Sequence, residues 1–126
     1  MKRSELRVMV LDDEDIVNDL VVKIFKRTGI TNIDSAFNEK EALDLFKLGK
    51  YDLLFSDTYM GEDAYGPRVL KKARELGQDP KVIASSSNPK AVELWTGESK
   101  PDYFIVKPFG NIMDLVNIVK KEFPEA

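Results

Sequence analysis

Short apolar runs that alternate with amphipathic segments along the whole chain constrain this sequence more than any other feature. The runs RVMVL (7–11), IDSAF (33–37), YDLLFS (51–56), KVIAS (81–85) and YFIV (103–106) have strand length. Several are apolar at consecutive positions, as strands covered on both faces require. After the first run, Ile16, Val17, Leu20, Val21, Ile24 and Phe25 recur at helical spacing, and Gly29 offers a stop behind Thr28. Asn38 can cap a second helix with Glu41 three residues on, Ala42, Leu43, Leu45 and Phe46 on its buried side, and Gly49 at its end. Pro67 suits a first helical position for RVLKKARELG, because its missing N–H removes no bond that a first turn uses. A shorter helix is expected within PKAVELW, and a last one from about Asn111, burying Ile112, Leu115, Val116, Ile118 and Val119. Five strand–helix pairs in strict alternation predict an α/β fold, a (βα)5 doubly wound five-stranded parallel sheet with helices on both faces.

A chain of 126 residues, 43% of them apolar, can bury one ordinary core, so a single domain over residues 1–126 is expected. Nineteen basic residues against 22 acidic ones, a net charge of −3, provide no basic excess to gather phosphates, which argues against direct contact with nucleic acid. The lack of cysteine excludes disulfides and thiolate metal sites and permits a reducing compartment. The lack of histidine removes the usual imidazole base, most zinc sites and any phosphohistidine carried by this chain. The opening MKRSELR is followed by too few apolar residues for a signal-peptide core or a membrane span. A cytoplasmic protein without membrane insertion is the expectation.

In a sheet of this kind chemistry belongs at the carboxyl ends of the strands. The first run ends in Asp12, Asp13 and Glu14, the third in Ser56 and Asp57, the fourth in Ser85, Ser86 and Ser87, and the fifth in Lys107, Pro108 and Phe109. Acids gathered at one edge raise each other's pKa unless a cation sits among them. Mg²⁺ fits such a set, because it takes a few carboxylates, keeps several waters and leaves room for phosphate oxygens. A lysine beside it can hold a phosphoryl oxygen or pair with a free carboxylate, and a serine adds a hydroxyl donor. Singly, each residue has a plainer explanation: acids favour a helix's positive end, an aspartate starts a turn, and serine and lysine sit in solvated loops. Their coincidence at four strand ends is what speaks for a site.

The acidic pair in VLDDE, the aspartate closing LLFSD, the hydroxyl residue in VIASSS and the KPF after an aromatic-rich strand together resemble the receiver domain of two-component response regulators. The resemblance covers essentially the whole chain and implies a flavodoxin-like receiver fold. It implies that Asp57 is the phosphoacceptor, taking a phosphoryl group from a phosphohistidine donor. Asp13 would bind Mg²⁺ directly, Asp12 mainly through metal-bound water, and the backbone carbonyl of Tyr59 would complete the protein ligands around Asp57. Lys107 would contact the phosphoryl group, and Ser86 would be the switch hydroxyl, with Ser85 at the position where the family usually has an apolar residue. Phe104 falls where receivers carry the aromatic that turns inward with the switch, and the peptide before Pro108 would be cis. Tyr59 and Asn88 fall at positions that modulate the lifetime of the acyl phosphate, and a bulky Tyr59 would slow its hydrolysis.

The sequence departs from the family pattern after Asp57, where Gly61 stands near the place of a usual proline and GEDAYG carries one extra residue. It departs again in NPKAVELWTGESKPDY, part of the usual partner face. The chain reaches KKEFPEA soon after the last helix, so no output domain is expected and the signal would leave through a partner. The resemblance implies a sensor histidine kinase or a histidine phosphotransfer protein upstream, an effector protein downstream and a possible phosphorylation-dependent homodimer. It also implies a switch that promotes its own phosphorylation and dephosphorylation and is not a turnover enzyme on a separate substrate. A different resemblance rests on Asp13-x-Asp15 in LDDEDIV, which is similar to the nucleophile motif of haloacid-dehalogenase-type Mg²⁺ phosphatases. That alternative lacks a late paired-acid motif and leaves Asp57 without a role. A receiver fold that binds partners without being phosphorylated is a third alternative, against which Asp12, Asp13, Asp57 and Lys107 all argue.

Overall fold

The computed structural model describes residues 2–60, 64–107 and 113–125. Along the chain run β1 (Arg7–Leu11), α1 (Asp15–Arg27), β2 (Asn32–Ala36), α2 (Glu39–Leu48) and β3 (Leu53–Asp57). Two-residue strands β4 (Tyr59–Met60) and β5 (Ala64–Tyr65) follow, then α3 (Gly66–Glu75), β6 (Lys81–Ser86), β7 (Tyr103–Val106) and α4 (Met113–Glu122). The main sheet has the order β2-β1-β3-β6-β7, and every neighbouring pair in it is parallel. This is the predicted doubly wound sheet, with the fourth and fifth expected strands realised as β6 and β7.

Successive residues of a strand face opposite sides, so each central strand feeds two cores. Val8, Val10, Leu53, Phe55 and Ile83 pack with Val21, Ile24 and Phe25 of α1 and with Leu115 and Val119 of α4. Met9, Leu11, Leu54, Val82 and Ala84 pack with Ala42 and Phe46 of α2, with Val69, Leu70 and Ala73 of α3, and with Trp95. All five residues of β3 are buried, whereas the edge strands β2 and β7 are only partly covered. That difference explains why NIDSA carries a weaker apolar signal than LLFSD.

Several boundaries differ from those the sequence suggests. The second strand runs over 32–36 and not 33–37, and the third over 53–57 and not 51–56. Asp52 instead clasps the start of β1, its carboxylate accepting from the Arg7 N–H at 2.9 Å and its own N–H donating to the Arg7 carbonyl at 2.8 Å. The strand then extends by one residue, so Asp57 is its last member. In α1, Ile16 keeps the helical period but stands 84% exposed, and Leu20 is exposed as well. Helix α2 is capped as expected, the Asn38 side chain accepting from the Glu41 N–H at 2.8 Å. The Glu41 carboxylate reaches back to the Phe37 N–H at 3.0 Å, one residue before the position a capping box uses. PKAVELW forms a 3-10 turn, Pro89–Leu94, and a second turn follows at Gly97–Ser99. Asn88 caps the first by accepting from the Lys90 N–H at 3.0 Å, and Trp95 leaves it with its side chain buried. The expected helix start at Asn111 and the burial of Ile112 fall outside the described residues, as does the peptide at Pro108. Among the described residues no helix is long and apolar enough to cross a membrane.

Candidate functional site

β1 lies between β2 and β3, so the chain winds one way from β1 and the other way from β3 onward. A crevice opens at such a switch point, beyond the carboxyl ends of the two strands. Asp12 leaves β1 there, its N–H bonded to the Ala36 carbonyl at 3.1 Å. Buried Asn18 of α1 fixes this corner by donating through Nδ2 to the carbonyls of Val10, Asp12 and Ala36 at 3.3, 3.1 and 3.2 Å. Asp12 Oδ1 accepts from the Glu14 N–H at 2.9 Å, leaving Oδ2 for the Lys107 ammonium at 2.8 Å. The same Nζ stands 3.2 Å from Asp57 Oδ1, which also accepts the Thr58 N–H at 2.8 Å. Asp12, Asp13 and Asp57 each offer a carboxylate oxygen, and these oxygens lie within 4.8 Å of one another.

Asp12 and Asp57 are buried, while Asp13 is exposed. Burial and then the charge of Asp12 push the Asp57 carboxyl up to about 6, against the opposing pull of Lys107 and of the Thr58 N–H. Burial would lower Lys107, but its hydrogen bond to Asp12 and the charge of Asp57 outweigh it and hold the ammonium above the usual lysine range. The cluster brings together three carboxylates, two of them paired with one ammonium, so a negative excess remains there. An all-oxygen donor set with that excess fits a hard divalent cation, and the donors stand close enough to share one.

The remaining expected residues lie on β4, β6, β7 and the turn that follows β6. Ser86 ends β6, its Oγ accepting from the Asn88 N–H at 3.1 Å and its carbonyl accepting from the Lys107 N–H at 2.8 Å. Asn88 spends its own Oδ1 on the Lys90 N–H. Phe104 is partly buried against the core that holds Ala84 and Trp95. Tyr59 pairs with Tyr65 across the β4–β5 ribbon and is 51% exposed. Gly61, Glu62 and Asp63 of the acidic loop lie outside the described residues.

Composition and spacing missed the support beneath Asp57. Thr58 donates its N–H and its hydroxyl to the Ser85 carbonyl at 2.9 and 2.8 Å, and its Oγ1 accepts the indole N–H of Trp95 at 2.9 Å. Gly66 N–H closes the ribbon on the Thr58 carbonyl at 2.8 Å. A lone tryptophan in the otherwise polar stretch 95–102 was the one available signal.

Over residues 8–120 the chain matches the response regulator receiver domain. It belongs to that family. Transcriptional regulatory protein LytR of Staphylococcus aureus is 29% identical over 119 residues, which cover 91% of this chain and 47% of that protein. A protein-glutamate methylesterase/protein-glutamine glutaminase of Archaeoglobus fulgidus is 30% identical over 118 residues, covering 92% of this chain and 34% of its own. The chain thus spans about half, or less, of the length of these curated relatives. The receiver domain of a Francisella response regulator superposes with a TM-score of 0.75 at 30% identity, over 93% of this chain and 98% of its own. A two-component response regulator from Clostridium difficile superposes with a TM-score of 0.80 over 93% and 94% of the two chains, and its 23% identity speaks for the fold alone. The phosphatase alternative finds no support: the receiver match includes Asp57, for which that alternative has no role, and Asp57 joins Asp12 and Asp13 in one cluster.

Proposed function

We propose that this receiver domain accepts a phosphoryl group on Asp57 from a phosphohistidine and thereby switches a protein-interaction surface. The observation that carries the proposal is the Lys107 ammonium set between Asp12 and Asp57 inside a three-carboxylate cluster. Asp57 is the nucleophile: its carboxylate oxygen bonds to phosphorus as the phosphorus–nitrogen bond to the donor imidazole breaks. With a carboxyl held at about 6, it is largely ionised near pH 7 and ready to attack. Asp12, Asp13, Asp57 and the Tyr59 carbonyl would hold Mg²⁺, which supplies charge neutralisation for the phosphoryl oxygens. Lys107 holds one phosphoryl oxygen once its bond to Asp12 is released.

Ser86 is the switch hydroxyl in this proposal. The bond it accepts from Asn88 leaves its own proton uncommitted for a phosphoryl oxygen. Phe104, partly buried on the adjoining strand, follows that movement, and Tyr59 and Asn88 set how long the acyl phosphate survives. Adding about two negative charges biases the domain between two states through these differential contacts. The donor is a sensor histidine kinase or a histidine phosphotransfer protein in the cytoplasm, and the readers are an effector protein or a second copy of the chain. The domain acts as a switch reset by hydrolysis and not as a turnover enzyme on a separate substrate.

The test is to incubate the protein with a small acyl phosphate donor and Mg²⁺ and to locate the added mass by peptide mass spectrometry. Wild type gains one phosphoryl group on Asp57, and Asp57→Asn gains none. An unlabelled wild type would overturn the proposal, and label on Asp13 with turnover of phosphate esters would put the phosphatase in its place.

A further inference from the structure

Ser85 is fully buried, and among the described residues its Oγ is the single buried side-chain oxygen or nitrogen without a hydrogen-bond partner. Such a group costs stability, and a native protein that retains one calls for a reason. Its place in the sheet supplies it. Ser85 is the register partner of Asp57 on the neighbouring parallel strand and of Ile105 on the other side. Phe55, Ile83 and Ile105 all pack into the core under α1 and α4, and by two-residue alternation Asp57 and Ser85 continue that face. Ser86 continues the opposite face, which Ala84 and Phe104 share. The two adjacent serines therefore flank the Asp57 position from different sides of the sheet. The Ser85 carbonyl is tied down by Thr58, so the backbone holds the residue in place while the hydroxyl stays uncommitted.

We propose that Ser85 is a second hydroxyl of the phosphoryl site, a donor to the acyl phosphate formed on Asp57 that has no partner until the modification arrives. The proposal rests on Asp57 being the phosphoacceptor. Modification places new acceptor oxygens and about two negative charges at Asp57, the polar one of the two residues that share register and face with Ser85. The hydroxyl then gains a charge-assisted bond, so the contact favours the modified state alone. A packing role would affect both states alike.

The experiment compares wild type with Ser85→Ala, Ser85→Cys and Ser85→Thr. It measures thermal unfolding without ligand, affinity for beryllium fluoride with Mg²⁺ as a phosphoryl mimic, and the rate at which a phosphorylated sample loses phosphate. Ser85→Ala should unfold at a higher temperature than wild type in the absence of ligand. It should bind the mimic roughly tenfold more weakly, the effect of one such bond. Ser85→Cys, which keeps the shape with a weaker donor, should show the same loss, and Ser85→Thr should retain affinity. Wild-type affinity and wild-type phosphate loss in both the alanine and cysteine variants would overturn the proposal and leave Ser85 a packing residue. If wild type itself neither binds the mimic nor takes up phosphate, the phosphoacceptor assignment of Asp57 fails instead.

Discussion

A carboxyl held at about 6 inside a folded protein binds its proton more tightly than the same group in the unfolded chain, whose pKa is about 3.9. Below about pH 3 both states are protonated and Asp57 has little effect on folding. As pH rises from there through about 6, the unfolded chain ionises first, and the folded state loses stability relative to it. Above that window the ionised carboxylate costs up to roughly 2–3 kcal/mol, since each tenfold gain in proton affinity on folding is worth about 1.4 kcal/mol. Asp57→Asn, which removes the charge and keeps the shape, should therefore stabilise the metal-free protein at pH 7.5 by an amount of this order. The gain should shrink to near zero at pH 3. Urea unfolding at the two values, with divalent cations removed, checks both halves, and an equal gain at both would show that charge is not the cause. Such a cost is what a group kept for chemistry and not for folding is expected to carry. The position of Asp57 was legible because an aspartate ending a buried apolar strand is conspicuous. The free hydroxyl of Ser85 was not, because a serine within SSS looks like any loop serine until strand register shows which neighbour it faces.

The elements that deliver Asp57 are held by a contact that no linear pattern displays. Gly66, the first residue of α3, passes so close to the end of β3 that a Cβ built there would lie 2.3 Å from the Asp57 carbonyl oxygen and 2.5 Å from Ser56 Oγ. It would also lie 2.5 Å from Cη2 of Trp95. The first of these neighbours is backbone and cannot swing away. Gly66→Ala should therefore push α3 off β3 and cost about 1–3 kcal/mol, the usual range for overpacking. Trp95 is the sole tryptophan of the chain. Its indole N–H is fixed on Thr58, so its emission should shift in the same variant, and fluorescence-monitored denaturation reads both effects together. An unchanged midpoint would mean that the helix can retreat without loss. The central strands β1, β3 and β6 were readable because burial at consecutive positions leaves an apolar signature in each run. The 3-10 form of Pro89–Leu94 was not, since PKAVELW carries residues that suit an α-helix equally well. The exposed Ile16 has the same lesson: periodicity marks a helix without stating which of its apolar positions the sheet covers.

Across the whole molecule, one ammonium links the middle of the sheet to its edge. Lys107 follows β7, an edge strand, yet bonds to Asp12 beyond β1 and stands beside Asp57 on β3, so it reaches over β6. In the metal-free protein it is the cation that compensates the buried Asp12 carboxylate. Replacing it, as in Lys107→Met, leaves that charge uncompensated and should cost up to about 3–5 kcal/mol, the range for breaking a buried pair. The same ammonium occupies oxygens that a divalent ion would use, so the two cations compete for the cluster. Mg²⁺ at a hundred times its dissociation constant should stabilise the wild-type fold by about 2.7 kcal/mol, because only the folded chain assembles the three carboxylates. At a fixed Mg²⁺ concentration Lys107→Met should gain more than wild type, since the ion no longer has to displace a resident charge. In both proteins the gain should fall as pH drops below about 6, where protons compete with the metal at Asp57. Thermal unfolding across an Mg²⁺ series at pH 7.5 and pH 5.5 separates these effects. Equal Mg²⁺ gains in wild type and variant would show that Lys107 and the ion do not compete for the cluster.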